Sequence, residues 1–302
     1  MHRTRLIAIV LITLFTSACA PAALDQDLSL DDLRPGFPLS EPDYTNKRMR
    51  DFGPFEAALA AFPAARAQAL DSALTNATIP EIQALLNAGN LTSVELVTYY
   101  ADRIDHYDID KLNSVMELNP NALADAAAAD DLRAAGTVLG PMHGIPVLLK
   151  DNIAATGMHA TAGAYALKDW QPQRDAFLVQ QLRDAGAVIL GKANLSEWAN
   201  YMDPGMPNGF SVLGGQTRHP YGPFDPLGSS SGSAVAAAAN LATVTVGSET
   251  QGSIVSPSKV NSVVGLKTSH GLVSGDYIIP LVDWMDVAGP IGRTVTDVAI
   301  LL

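Results

Sequence analysis

A lysine and two groups of serines are the residues of this chain best placed to do chemistry. Lys150 closes the apolar run Gly144-Ile145-Pro146-Val147-Leu148-Leu149 and is followed by Asp151 and Asn152. The first serine group is Gly228-Ser229-Ser230-Ser231-Gly232-Ser233. The second, Gly247-Ser248-Glu249-Thr250-Gln251-Gly252-Ser253-Ile254, follows an alanine-rich run and a short apolar stretch. One serine-rich loop alone reads as a flexible linker. Two of them, separated by a helix–strand unit, place hydroxyls on a scaffold, and a lysine with two serines can generate a nucleophile without histidine.

Lysine is charged at neutral pH and is a poor base unless burial disfavours its charged form. The end of a buried strand would provide that burial; the plainer reading is a solvated Lys150 paired with Asp151. In the second serine group, glycines at 247 and 252 permit a tight turn. Successive N–H groups of Thr250, Gln251, Gly252 and Ser253 could then converge as an oxyanion hole, worth roughly 3–4 kcal/mol per donor in serine hydrolases, with Ser253 as nucleophile. The six histidines, at positions 2, 106, 143, 159, 219 and 270, have no metal-ligand spacing, and no metal or cofactor is expected. Gly228-Ser229-Ser230-Ser231-Gly232 also fits the Gly-x-Ser-x-Gly elbow with Ser230 as nucleophile. That motif needs a strand directly before it, whereas residues 219–226 carry Pro220, Pro223 and Pro226 and read as a loop.

The elements that must hold these residues follow from periodicity. Residues 55–75 and 79–88 are alanine- and leucine-rich and helical, with Pro80 suited to a first turn and Gly89-Asn90 as a stop. Thr92 and Glu95 predict a capping box for a helix whose apolar face is Leu96, Val97, Tyr100 and Ile104. Another helix is expected over 121–135. From Gly140 the texture changes. Strands are expected at 145–149, 186–190, 243–246 and 263–266, and helices at 176–185 and 234–240, which is the alternation of an α/β domain. Residues 296–302 read as the opening of an amphipathic helix without a cap, which predicts a domain incomplete at its C-terminus.

The chain has 302 residues and is 48% hydrophobic, enough for a sizeable core, and its net charge of −12 argues against a nucleic-acid partner. Arg3, Arg5 and the apolar run 6–15 form a signal segment over 1–19. It ends at Thr16-Ser17-Ala18-Cys19, a site of lipoprotein type that would anchor the chain to a membrane through Cys19; ordinary cleavage near Ala18 and Ala20 would give a soluble exported protein. Cys19 is the single cysteine, so no internal disulfide is expected. Residues 20–54, rich in proline and acidic side chains, read as an extended arm, and 55–302 as the main domain.

The run from Gly144 through Lys150-Asp151-Asn152 resembles the lysine motif of the amidase signature family. Gly228-Ser229-Ser230-Ser231-Gly232 resembles its serine–glycine loop, and Gly252-Ser253-Ile254 its nucleophile turn. Flanking segments agree: Gly191-Lys192-Ala193-Asn194, Gly214-Gly215-Gln216-Thr217-Arg218, Val264-Gly265-Leu266-Lys267 and Ala288-Gly289-Pro290. The triple serine, the Glu249-Thr250-Gln251 turn and the export signal look most like the peptide amidase branch. The resemblance implies an α/β/α fold with a central mixed sheet preceded by N-terminal helices. It implies hydrolysis of a small amide or peptide amide through an acyl-enzyme. Lys150 would be the base, Ser229 the bridging serine after a cis bond to Gly228, and Ser253 the nucleophile. Thr250, Gln251 and Gly252 would supply oxyanion N–H groups, with Ser230 and Asp151 in support. Leu227, Ser231 and Gln251 stand where the family commonly has glycine, and members continue beyond the point matching Leu302. The competing expectations are an inactive truncated lipoprotein or surface binding protein, and the family's tRNA-dependent amidotransferase member, which an export signal disfavours.

Overall fold

The computed structural model describes residues 50–203 and 205–302, so the signal segment, Cys19 and most of the expected arm lie outside the described residues. The chain opens with helices α1 (Glu56–Ala61), α2 (Ala64–Leu74), α3 (Ile79–Asn87) and α4 (Ser93–Tyr107). The single helical stretch expected over 55–75 is broken at Pro63. Phe62, held extended at ψ 110° as residues before proline are, ends α1, and Pro63 caps α2. The capping box at Thr92 and Glu95 is present, and a second joins Thr78 to Glu81 at the start of α3.

Strand β1 (Val115–Leu118) follows, then α5 (Ala122–Ala134), β2 (Pro146–Lys150), α6 (Phe177–Asp184) and β3 (Val188–Ala193). A small hairpin, β4 (Phe210–Ser211) with β5 (Gly215–Gln216), precedes α7 (Ser231–Ala238), β6 (Val244–Glu249), α8 (Val255–Val260), β7 (Val264–Gly265), β8 (Val287–Gly292) and α9 (Val295–Leu301). The main sheet has the order β1-β3-β2-β6-β8-β7. Its centre, β3-β2-β6, is parallel, and its flanks are antiparallel. It is a mixed sheet, as the resemblance implies.

Val147, Leu148, Leu149, Val244 and Ile189 are fully or almost fully buried, which is why the central strands read as continuous apolar runs. Helix α7 lies on the face that carries Leu148 and Thr245, where the Thr245 hydroxyl donates to the Ser233 carbonyl at 3.0 Å. Helix α9 is capped by Thr294, and Asp297 in its first turn accepts the Ile79 amide at 2.7 Å, tying the last helix to α3.

Candidate active site

Parallel pairing brings the carboxyl ends of β2 and β6 to one edge of the sheet, the edge at which α/β folds commonly bind ligands. Lys150 ends β2 and is completely buried. Its Nζ donates to Ser229 Oγ at 2.8 Å and to the Ser248 carbonyl at 3.1 Å. Burial lowers its pKa to about 7, while the nearby charges of Asp286 and Glu249 pull in the opposite direction. The solvated, Asp151-paired state is therefore not the one adopted. Asp151 accepts the amides of Thr161 at 3.0 Å and Gly163 at 3.2 Å and faces Lys192 at 3.7 Å.

The serine loop reaches Lys150 from the N-terminus of α7. The Gly228–Ser229 peptide bond is cis. Ser230 donates its hydroxyl to the Ser248 carbonyl at 3.0 Å and accepts the Ser248 amide at 3.2 Å. Gly247 makes this approach feasible, because a Cβ there would stand 2.9 Å from Ser230 Oγ. Buried, committed to Ser248 and preceded by no strand, Ser230 does not meet the elbow geometry. Two of the positions that depart from the family's glycines touch each other: Leu227, at φ +50°, accepts the Ser231 hydroxyl through its carbonyl.

The turn after β6 carries Ser253. The Ser230 amide donates to the Ser253 carbonyl at 3.0 Å, which sets the two serine groups side by side. Ser253 is 8% exposed, reachable from outside, and its hydroxyl bonds to nothing among the described residues. Glu249 staples the turn. Its carboxylate accepts the amides of Gly252 at 2.8 Å, Ile254 at 2.7 Å and Val255 at 3.0 Å, the last two at the start of α8. This corrects one expected oxyanion donor: the Gly252 N–H is occupied by Glu249. Thr250 is held at its side chain by Asp286.

Beside this turn lies a cavity of about 620 Å³, lined by Ser248, Thr250, Trp198, Ile279, Leu281 and Asp286 among others. The contributions of Ser248, Glu249 and Asp286 are not evident in the motifs. A carboxylate just before a glycine turn that opens a helix is a usable signal for Glu249. Asp286, 36 residues from Thr250, has none.

A family model described as Amidase matches residues 95–302. The native peptide amidase from Stenotrophomonas maltophilia is 52% identical, with a TM-score of 0.73, over 75% of this chain and 47% of that one. An amidase family protein from Bacillus anthracis is 43% identical, with a TM-score of 0.81, over 86% and 53% respectively. A glutamyl-tRNA(Gln) amidotransferase component from Halorhodospira halophila is 38% identical over 227 residues, 74% of this chain and 46% of the relative. This chain belongs to the amidase family. It spans less than half the length of the curated relatives it matches, between 38% and 46% for the first four.

Proposed function

We propose that this chain hydrolyses a carboxylic amide, with peptide C-terminal amides as the substrate class, through a Ser253–Ser229–Lys150 relay. The observation that carries the reading is a fully buried lysine, 2.8 Å from a serine hydroxyl, with its pKa lowered to about 7. A base with a pKa near the working pH is what proton abstraction requires. The 52% identity to a peptide amidase supports the substrate class.

In the proposed cycle, neutral Lys150 accepts the Ser229 proton as Ser229 takes that of Ser253. Ser253 Oγ bonds to the amide carbon, and the carbonyl electron pair moves onto oxygen, met by the N–H groups of Thr250, Gln251 and Ser253. Collapse breaks the C–N bond. The proton held on Lys150 returns through Ser229 to the leaving nitrogen, which departs as ammonia or an amine. Water then repeats the sequence on the acyl-enzyme.

A fluorophosphonate probe with mass-spectrometric mapping tests this reading. Label is expected on Ser253 and is expected to vanish in Ser253→Ala, whose fold is retained. Label on Ser230 would assign the nucleophile elsewhere, and a folded chain that takes no label would sink the hydrolase reading in favour of a binding protein. Export with a lipid on Cys19 is part of the same proposal and rests on residues 1–19 alone. The mass of the mature N-terminus decides it; an unprocessed Met1 overturns it.

A further inference from the structure

Asp286 stands just before β8, outside both serine motifs, yet its carboxylate joins two segments that line the cavity. One oxygen accepts the Thr250 hydroxyl, in the turn that carries Ser253. The other accepts the amides of Leu281 at 2.6 Å and Val282 at 2.9 Å, in a second segment, of which Leu281 lines the cavity. The Asp286 amide in turn donates to the Val282 carbonyl at 2.9 Å, so the 281–286 segment closes on itself around this carboxylate. That segment continues from one docked against the turn after Lys150: Ile279 donates its amide to the Asn152 carbonyl at 2.9 Å, and Ile153 bridges Ile278.

We infer that Asp286 is a positioning residue that couples the substrate-facing segment 277–282 to the oxyanion turn through Thr250. The inference rests on the amide-hydrolase reading. Charge-assisted hydrogen bonds from three donors on two segments resist independent movement of either segment. A substrate that fills the cavity and presses on Leu281 would therefore act on the geometry of Thr250, one of the N–H groups that must meet the developing oxyanion. Asp286 has a second, electrostatic consequence. With Glu249 at the end of β6 it favours the charged form of Lys150, against the burial that lowers its pKa, while Asp151 is occupied by Lys192.

The test compares the fluorophosphonate labelling rate of Ser253 across pH in the full chain and in Asp286→Ala, Thr250→Val, their double variant and Asp286→Asn. Thr250→Val, which removes one hydrogen bond of the link, is expected to slow labelling about tenfold, and Asp286→Ala, which removes that bond and two more, at least as much. The double variant is expected to be no slower than Asp286→Ala, because both changes cut the same link. Independent losses multiplying to about a hundredfold would overturn the coupling. Asp286→Asn can keep all three bonds, its amide donating to Thr250 Oγ1, but it loses the charge. It is expected to move the acidic limb of the labelling profile to lower pH, a shift that a purely structural role would not produce; an unmoved limb counts against the electrostatic part. Hydrogen exchange followed by mass spectrometry reads the link without any chemistry. Thr250→Val is expected to speed exchange at Leu281 and Val282, and unchanged exchange there would overturn the inference. If the wild-type chain takes no label, the hydrolase reading fails, and the exchange result still decides the coupling.

Discussion

Two lysines sit on neighbouring strands of this sheet, both fully buried, and their surroundings differ. Lys192 on β3 faces the Asp151 carboxylate and donates to the carbonyls of Ile153 at 2.6 Å, His159 at 2.8 Å and Asp151 at 3.3 Å. Lys150 on β2 has a serine hydroxyl and one carbonyl and, among the described residues, no carboxylate in contact. Burial pushes Lys192 down and Asp151 up, and each charge opposes the shift of the other. For Lys150 the opposing charges are more distant, and its pKa falls to about 7. A buried ammonium enclosed by acceptors is a structural part; one left short of them can exchange a proton. The same residue type thus serves the fold on one face of the sheet and, in the proposed function, chemistry on the other.

Replacing each lysine by methionine breaks the comparison most directly. Lys150→Met is expected to cost Ser253 turnover on the order of 10⁴-fold or more, as loss of a catalytic base does. Lys192→Met leaves a buried carboxylate without its partner and three carbonyls without their donor. It is expected to lose about 3–5 kcal/mol of stability, measured by denaturant unfolding. The two effects on stability should have opposite signs. The unfolded chain protonates Lys150 below its ordinary pKa of 10.5, the folded chain only below about 7. Between these values the unfolded state holds more protons, so wild-type stability climbs with pH across that window. Lys150→Met removes the climb. Its advantage over wild type should be full at and below pH 7 and gone near pH 10.5. Equal destabilisation by both substitutions at pH 7 would mean that the two sites are alike.

The next expected effect is on the pH profile of the chemistry. Neutral Lys150 is the active form, so kcat/KM should rise through about pH 7 and level off above it. A limb above about pH 9, in the range of an unperturbed lysine, would show that burial does not lower the pKa of Lys150.

The division of labour between the lysines is not written in the motifs. The apolar runs 145–149 and 243–246 are legible as strands, and the second serine group follows the second of them, while the first lies after a loop at the start of α7. Lys192 is visible only as part of Gly191-Lys192-Ala193-Asn194. Which face it takes depends on a register shift. Val147 pairs with Ile189, but Leu148 pairs with Gly191, so one residue of β3 is skipped. Lys192 then lies opposite Leu149 rather than Lys150. A one-residue slip turns every later side chain to the other face. Gly191 sits at this irregularity because a Cβ there would be 2.1 Å from the Glu117 carbonyl of β1. Strand β1 itself is four residues long, too short to show a pattern, and β8 contains Gly289-Pro290, which disguises it. The serine loop is legible as a motif, but its attachment to Ser248 is a tertiary contact with no local signature.

The smallest expected effect would move Lys150 part of the way towards the state of Lys192. The Ser248 carbonyl accepts from both Lys150 Nζ and Ser230 Oγ. In Ser230→Ala it keeps only the lysine, and a carbonyl relieved of a competing donor is a better acceptor for the ammonium, which favours the charged form. The acidic limb of the pH profile should therefore shift upwards, opposite in sign to the shift expected for Asp286→Asn. The plateau should fall about tenfold, because the Ser248 amide loses its acceptor and the serine loop loosens, on the scale of one unsatisfied buried group. A downward or absent shift of the limb would show that the Ser248 carbonyl does not set the proton affinity of Lys150. The difference between the two lysines would then lie in the missing carboxylate alone.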